Sequence, residues 1–390
     1  MKVMKATYQT GTGLVLLMAL LLGACTADDA NDKKGVERQL HISLASNAYQ
    51  DDGSGMTRGL PTGYEVLDVS TAFPNGKDML AFIAHSTNSS EVLIRRLEYK
   101  TDWQQNKTDW QQNITVTDYS TPYCIYGFVP ISDDTSDNAS IRLLDDKTSY
   151  ADGVKMVISN LKPLTASDPC VIVGAKDCGT ATDINDVDIK LGTFNYAFSQ
   201  NATSDKICML LDHLYAKFHF KIAVSASYAA LRTIKVKKVQ LEALDASDNV
   251  IKAVTATVDI VANTGENNPI SSITFSKTTT GSVTPFILNN DETPLVLTTV
   301  AQDIGTCLAP YDQQRFRLTT DYEVYDKPTD SYVEPQLLKT HTGVTNKFTA
   351  TIAADKKKRG FEHTVTITVN PTYLQVLSDN DLEPPTITVN

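Results

Sequence analysis

The sequence predicts an all-β fold of the sandwich kind, and three observations carry that prediction. Tyr (16) and Phe (12) are plentiful alongside many Thr and Val, a composition that favours strands. Several stretches alternate apolar and polar residues with period two, which places every second side chain on one face. Turn signals recur between them, at Pro74-Asn75-Gly76, Asp152-Gly153 and Thr264-Gly265. At 390 residues, with 42% hydrophobic and 21% charged, the chain has apolar material for packed cores and is not a disordered one. At roughly 150 residues per domain the length suggests two or three domains.

The first segment reads as targeting. Lys2 and Lys5 precede an apolar run, Leu14 to Leu22, that ends in Leu22-Gly23-Ala24-Cys25. Nine residues are too few to span a bilayer, which takes about 20, but they suit a signal h-region. LGAC resembles a bacterial lipobox, so residues 1–24 are expected to be removed and Cys25 acylated. Removing Lys2 and Lys5 takes the net charge from −11 to −13. Residues 25–36 are polar, suit a flexible tether, and carry the acidic pair Asp28-Asp29.

Leu40, Ile42 and Leu44 then form a short amphipathic strand, followed by a loop, NAYQDDGSGMTRG, made flexible by Gly53, Ser54 and Gly55. The stretches 78–85 (DMLAFIAH) and 123–129 (YCIYGFV) are apolar on both faces, as strands inside a sandwich are. KTDWQQN occurs at 100–106 and again at 107–113, far shorter than a solenoid unit, and reads as a duplication lengthening a hairpin or loop. It carries Trp103 and Trp110, which with their polar neighbours suit sugar stacking or packing on the sandwich. The polar segment 199–206 marks a boundary, within about ten residues. It gives an N-terminal domain over 37–204 and a C-terminal one over 205–390. In 213–225, Leu214, Ala216, Phe218, Phe220, Ile222 and Val224 line one face, with Tyr215, Lys217, His219 and Lys221 on the other. From Ile234 and Val236 to Val239, Leu241 and Ala243 the phase slips at Lys237-Lys238, which predicts a β-bulge. Further alternations follow at Phe316, Leu318, Tyr322 and Val324, at Phe348, Ala350 and Ile352, and at Val365, Ile367 and Val369.

Chemistry is less marked. The sole basic cluster is Lys356 to Arg359 in a chain of pI near 5.0, which argues against nucleic acid. After Cys25, five cysteines remain (Cys124, Cys170, Cys178, Cys208, Cys307), an odd count. Cys170 and Cys178 have a spacing that can staple a loop in an oxidising compartment. The other reading is buried thiols, and the full pairing stays open. No Cys-x-x-Cys spacing marks a zinc site. Asp183, Asn185, Asp186 and Asp188 resemble part of a calcium loop but lack its glycine and distal glutamate. No nucleophile, base and oxyanion set assembles. The expectation is a non-enzyme with no metal and no cofactor.

A lipobox Cys, a short acidic tether, a strand and then Thr57-Arg58-Gly59 precede two all-β regions, in an order that resembles the fimbrillins, subunits of type V pili in Gram-negative gut and oral anaerobes. TPYCIYGFVP (121–130), LDHLYAKFHFKIAVSASYAAL (211–231), LAPYDQQRFRLTTDYEVYD (308–326) and GFEHTVTITVN (360–370) resemble successive strands of that family. The part after Asn370 is short and lacks the Trp often found near the family's end. A stalk, tip or anchor position is therefore left open. The resemblance implies two tandem transthyretin-like Greek-key β-sandwiches. It also implies export as an outer-membrane lipoprotein anchored in lipid through Cys25. An arginine-specific protease then trims the chain between Arg58 and Gly59, removing the strand of Leu40, Ile42 and Leu44 within segment 37–58. Polymerisation into a cell-surface fimbrium follows by strand exchange with other copies or related pilus subunits. The donor is expected in 372–390, where Leu374, Val376, Ile387 and Val389 are apolar and Pro384-Pro385 interrupt any preceding ladder. The alternative is a surface lipoprotein that never polymerises: an adhesin, or a glycan-binding module for a host or bacterial receptor.

Overall fold

A computed structural model describes residues 36–47, 49, 63–67, 78–87, 92–97, 99–102, 107–131, 140–201, 204–265, 267–290, 293–329, 332–370 and 386–389. Cys25, Arg58, Gly59, Leu374 and Val376 lie outside them, as does Trp103. The chain is all-β. Its first strands are β1 (Val36–Asn47), β2 (Tyr64–Val66), β3 (Asp78–His85), β4 (Val92–Leu97), β5 (Tyr99–Asp102) and β6 (Lys107–Val116). Next come β7 (Tyr123–Ile131), β8 (Ser140–Leu143), β9 (Gly153–Leu161), β10 (Cys170–Asp177), β11 (Asn195–Tyr196) and β12 (Ser204–His213). After these come β13 (Tyr215–Val224), the short helix α1 (Ala226–Ala229), β14 (Arg232–Leu244), β15 (Ala253–Val261), β16 (Ile270–Thr278) and β17 (Phe286–Asn289). The chain continues through β18 (Leu295–Val296), β19 (Gln302–Pro310), β20 (Arg315–Asp326), β21 (Leu337–Thr349), β22 (Glu362–Val369) and β23 (Thr386–Val389).

Four sheets result. The first has ten strands in the order β4-β3-β7-β10-β12-β1-β6-β5, with β11 on β7 and β2 on β1. A second runs β16-β15-β9-β8, a third β19-β13-β22-β23, and a fourth β17-β14-β20-β21 with β18 on β14. The third and fourth sheets face one another. Phe218 and Phe220 of β13 meet Phe316 of β20 edge-on, at ring distances of 5.5 and 6.0 Å. The apolar residues of β13, β14, β20 and β22 picked out by their alternation are all buried, and together with the other sheets they form one continuous core.

Local sequence explains several features directly. In β14 the register against β20 shifts between Val236 and Lys238, which keeps Ile234, Val236, Val239, Leu241 and Ala243 all inward. The doubly apolar stretches became β3 and β7, neighbours inside the first sheet, where Tyr123 to Val129 are buried without a break. Gly127 is required there, because a Cβ would lie 2.0 Å from the Leu80 carbonyl oxygen on β3. The two copies of KTDWQQN pair with each other, Lys100 opposite Asp109 and Asp102 opposite Lys107, as the β5–β6 hairpin. Trp110 lies in β6 opposite Tyr99. Asp183 of the calcium-like run caps a 3₁₀ turn, Ile184–Asp186, by accepting the Asn185 N–H.

Three expectations are corrected. The strand expected over 213–225 is two strands: His213 ends β12 and Tyr215 begins β13 in another sheet. Tyr215, expected on the wet face, is buried, and its hydroxyl donates to the Lys162 carbonyl. Alternation cannot report a change of sheet when the residues on both sides of the break are buried. The cysteine pair is Cys178–Cys208, not Cys170–Cys178. Cys170 opens β10 and Cys178 follows its last residue, about 26 Å away along an extended strand. Cys208 of β12 instead lies beside the end of β10, opposite Lys176. Cys124, Cys170 and Cys307 are free and buried.

Candidate assembly surface

The strand carrying Leu40, Ile42 and Leu44 does not lie on an edge. β1 pairs in parallel with β12 from Gln39 opposite Ser204 to Ser46 opposite Leu211. On its other side it pairs antiparallel with β6 over Val36 to His41 and with β2 over Ala45 to Asn47. Leu40, Ile42 and Leu44 are 0%, 6% and 2% exposed, so all three face the core. Their burial contributes about 1.5–3 kcal/mol each, before any backbone pairing is counted. Arg38, an arginine ahead of Arg58, lies inside β1 opposite Ile114, so a cut there would break a ladder. Between Asn47 and Tyr64 the chain carries Arg58 and Gly59 outside the described residues.

At the other end of the chain, β23 pairs antiparallel with β22, Ile387 opposite Ile367 and Val389 opposite Val365. Among the described residues four of this segment pair, Ile387 is half-buried, and β23 is the last strand of its sheet. Terminal edge strands with few contacts open at the low end of the stability range. Close by, the mouth between the third and fourth sheets holds a small apolar cavity of about 30 Å³. Ile222, Ile234, Val236, Leu318, Ile367 and Val369 line it. The geometry thus gives one strongly held interior strand and one weakly held terminal strand, in different sheets.

Disulfide and carboxylate chemistry frame the interior strand. Cys208 lies opposite Ser43 of β1 in the ladder, so the Cys178–Cys208 bridge fixes β12 to the end of β10 independently of β1. Tyr196 donates to Asp205 on the same strand at 2.9 Å. On the flank of the sheet, His85 holds Asp118 at 2.8 Å, and Ser120 donates to that carboxylate through its N–H and its hydroxyl. These bonds hold Asp118 well below the usual carboxylate range, the Ser120 contacts first. Burial pushes the Cys124 thiol up to about 12, which makes it an inert packing group.

No family model and no curated protein matches the chain. Among solved structures it is similar to a fimbrial protein from Bacteroides vulgatus, at 10% identity and a TM-score of 0.39, covering 89% of this chain and 98% of that one. It is also similar to a fimbrial assembly protein from Parabacteroides distasonis, at 10% identity and a TM-score of 0.32, covering 91% and 99%.

Proposed function

We propose that the protein is a structural subunit of a cell-surface fimbrium of the type V kind, serving adhesion, and that its role is assembly rather than catalysis. In this reading it reaches the outer membrane as a lipoprotein held by Cys25. An arginine-specific protease cuts after Arg58, and β1 is then replaced by a strand from another subunit. The observation that carries the reading is the place of β1. It is a buried interior strand, the first among the described residues, and is followed by the segment that holds Arg58.

Cutting at Arg58 does not by itself expel β1. The strand stays in two ladders and keeps three aliphatic side chains in the core. What the cut changes is the topology: β1 becomes a separate peptide whose loss is no longer opposed by chain connectivity. An incoming strand with the same alternation restores the hydrogen bonds of β12 and β6 and refills the same pockets. The exchange is then close to isoenergetic and is gated by cleavage. On the donor side, the described part of segment 372–390 is β23, and its pairing with β22 would be released before the strand is offered to a neighbour.

One observation favours the second reading, a surface adhesin or glycan-binding module that never polymerises. β23 completes its own sheet, as a strand that is never donated would. The two readings separate in one experiment. Purified precursor is treated with an arginine-specific protease beside an Arg58→Ala control, and fibres are sought by electron microscopy and sedimentation. Fibres from the cut wild-type protein alone support the subunit reading. Equal fibre formation by the uncut control, or none after complete cleavage, overturns it.

A further inference from the structure

At the end of the β10–β12 ladder, three side chains of metal-binding type converge. Cys170 opens β10 and His213 closes β12, and the two are directly opposite in the register. Cross-strand partners hold their Cβ atoms about 5 Å apart. Asp168 stands two residues ahead of Cys170, which in extended chain returns it to the same face. One ligand atom from each of the three lies within 4.8 Å of the others. Asp168 Oδ2 is 2.6 Å from His213 Nδ1, and Cys170 Sγ is 3.6 Å from that same nitrogen. Cys170 and His213 are buried, and the Tyr49 ring stacks on the imidazole at 4.1 Å.

One feature of this cluster is unexplained as plain packing. Asp168 Oδ1 is buried with no hydrogen-bond partner. Arg359 and Asn268 bond Asp212, so its charge is met, whereas among the described residues no basic side chain is paired with Asp168 apart from the His213 imidazole. A divalent cation answers that feature. With a thiolate, a carboxylate and a neutral imidazole around it, the assembly carries no formal net charge and suits a buried place. Zinc takes this mixture of S, N and O ligands, and at tetrahedral angles its sulfur and nitrogen ligands lie about 3.5 Å apart. The 3.6 Å separation of Sγ and Nδ1 matches that spacing.

We propose that Asp168, Cys170 and His213 form a zinc site, with water in the fourth position. On binding, the Cys170 thiol loses its proton to solvent, the imidazole hydrogen moves from Nδ1 to Nε2, and the metal takes the place of the hydrogen shared by Nδ1 and Oδ2. Affinity therefore rises with pH. No Cys-x-x-Cys spacing announces the site, because the ligands come from two strands 43 residues apart in sequence.

The test uses the purified protein, stripped with a chelator and titrated with Zn²⁺ and, separately, with Co²⁺. Expected are one equivalent of zinc, a higher melting temperature, and a sulfur-to-cobalt charge-transfer band with tetrahedral visible bands. Cys170→Ser abolishes the charge-transfer band, while Cys124→Ser and Cys307→Ser retain it. His213→Gln lowers zinc affinity by more than about tenfold. Absence of the band in the wild-type protein, or its survival in Cys170→Ser, overturns the proposal. Should Cys170→Ser fail to fold, the wild-type melting temperature decides, and no rise with zinc sinks the site.

Discussion

The Cys178–Cys208 bridge supports a quantitative prediction. It closes a sequence separation of 30 residues, from just after β10 through the 3₁₀ turn and β11 to the start of β12. Loop-closure entropy for a ring of that size gives about 3.6 kcal/mol of stabilisation at 25 °C. Cys178 and Cys208 are both buried, so a Cys178→Ala/Cys208→Ala double variant also gives up a little packing. The expected loss is therefore about 3–4 kcal/mol, measured as the shift in guanidinium midpoint at constant slope by far-UV circular dichroism. A reducing agent added to the wild-type protein should produce much of the same shift, and none in the double variant. This loss requires that the bridge exist in the native fold. A double variant within about 1 kcal/mol of wild type, or a wild-type protein indifferent to reductant, would refute it.

Other predictions concern the cores and termini. Phe220, fully buried against Phe316, should cost about 3–5 kcal/mol when replaced by Ala, read from the same denaturant curve; a loss below about 1 kcal/mol would invert the face assignment. His363 is buried beside Phe218, and burial, then Lys356, lowers its pKa. The unfolded chain therefore takes up a proton that the folded chain resists, and stability from this group is full above about pH 6.5 and falls as pH drops below it. His363→Phe should flatten that part of the stability–pH curve, and an unchanged slope would exclude the assignment. Cys25→Ala should move the precursor out of the detergent phase, since the acyl chains would be its anchor; unaltered partitioning would rule out acylation there. Deleting 372–390 should leave a folded monomer that forms no fibres, checked by size-exclusion chromatography and microscopy, and fibres from the truncated chain would exclude a donor in that segment.

How much the sequence disclosed depended on whether the signal was local. Period two in β13, β20 and β22 picked out apolar residues that are all buried, Tyr215 being the exception on the opposite face, and the slip at Lys237-Lys238 gave the bulge in β14, because both are properties of a single strand. Partner choice is not. The pairing of β9 with β15, Val154 opposite Ile260 and Met156 opposite Val258, joins strands about a hundred residues apart, and alternation names their faces without naming their neighbours. That sheet takes β8 and β9 from before residue 204 and β15 and β16 from after it. β12, which begins at Ser204, belongs to the first sheet. For the assembly surface, Leu40, Ile42 and Leu44 announced a strand, but its interior place in parallel with β12 rests on a contact across more than 160 residues. The bridge from Cys178 to Cys208 was hidden for the same reason.

The topology adds a polarity to the assembly reading. In the first sheet the order β10-β12-β1-β6 is antiparallel, parallel, antiparallel. In the third sheet β23-β22-β13-β19 repeats that pattern. β13 thus stands where β1 stands, and β23 where β10 stands. The counterparts differ in how they are held. β13 is covalently continuous with β14 through the short helix, so no single cut frees it, whereas β1 is the first described strand and is followed by the Arg58 segment. β10 continues into pairing with β7, whereas β23 ends its sheet among the described residues. In the proposed reading, the strand to be replaced and the strand to be donated therefore fall in different sheets. A subunit that offers β23 and accepts at the β1 slot makes head-to-tail contacts between unlike surfaces. Such contacts propagate as a filament unless the rotation between subunits happens to close. Under the proposed function, a donor and an acceptor in different sheets favour an open fibre over self-insertion after cleavage.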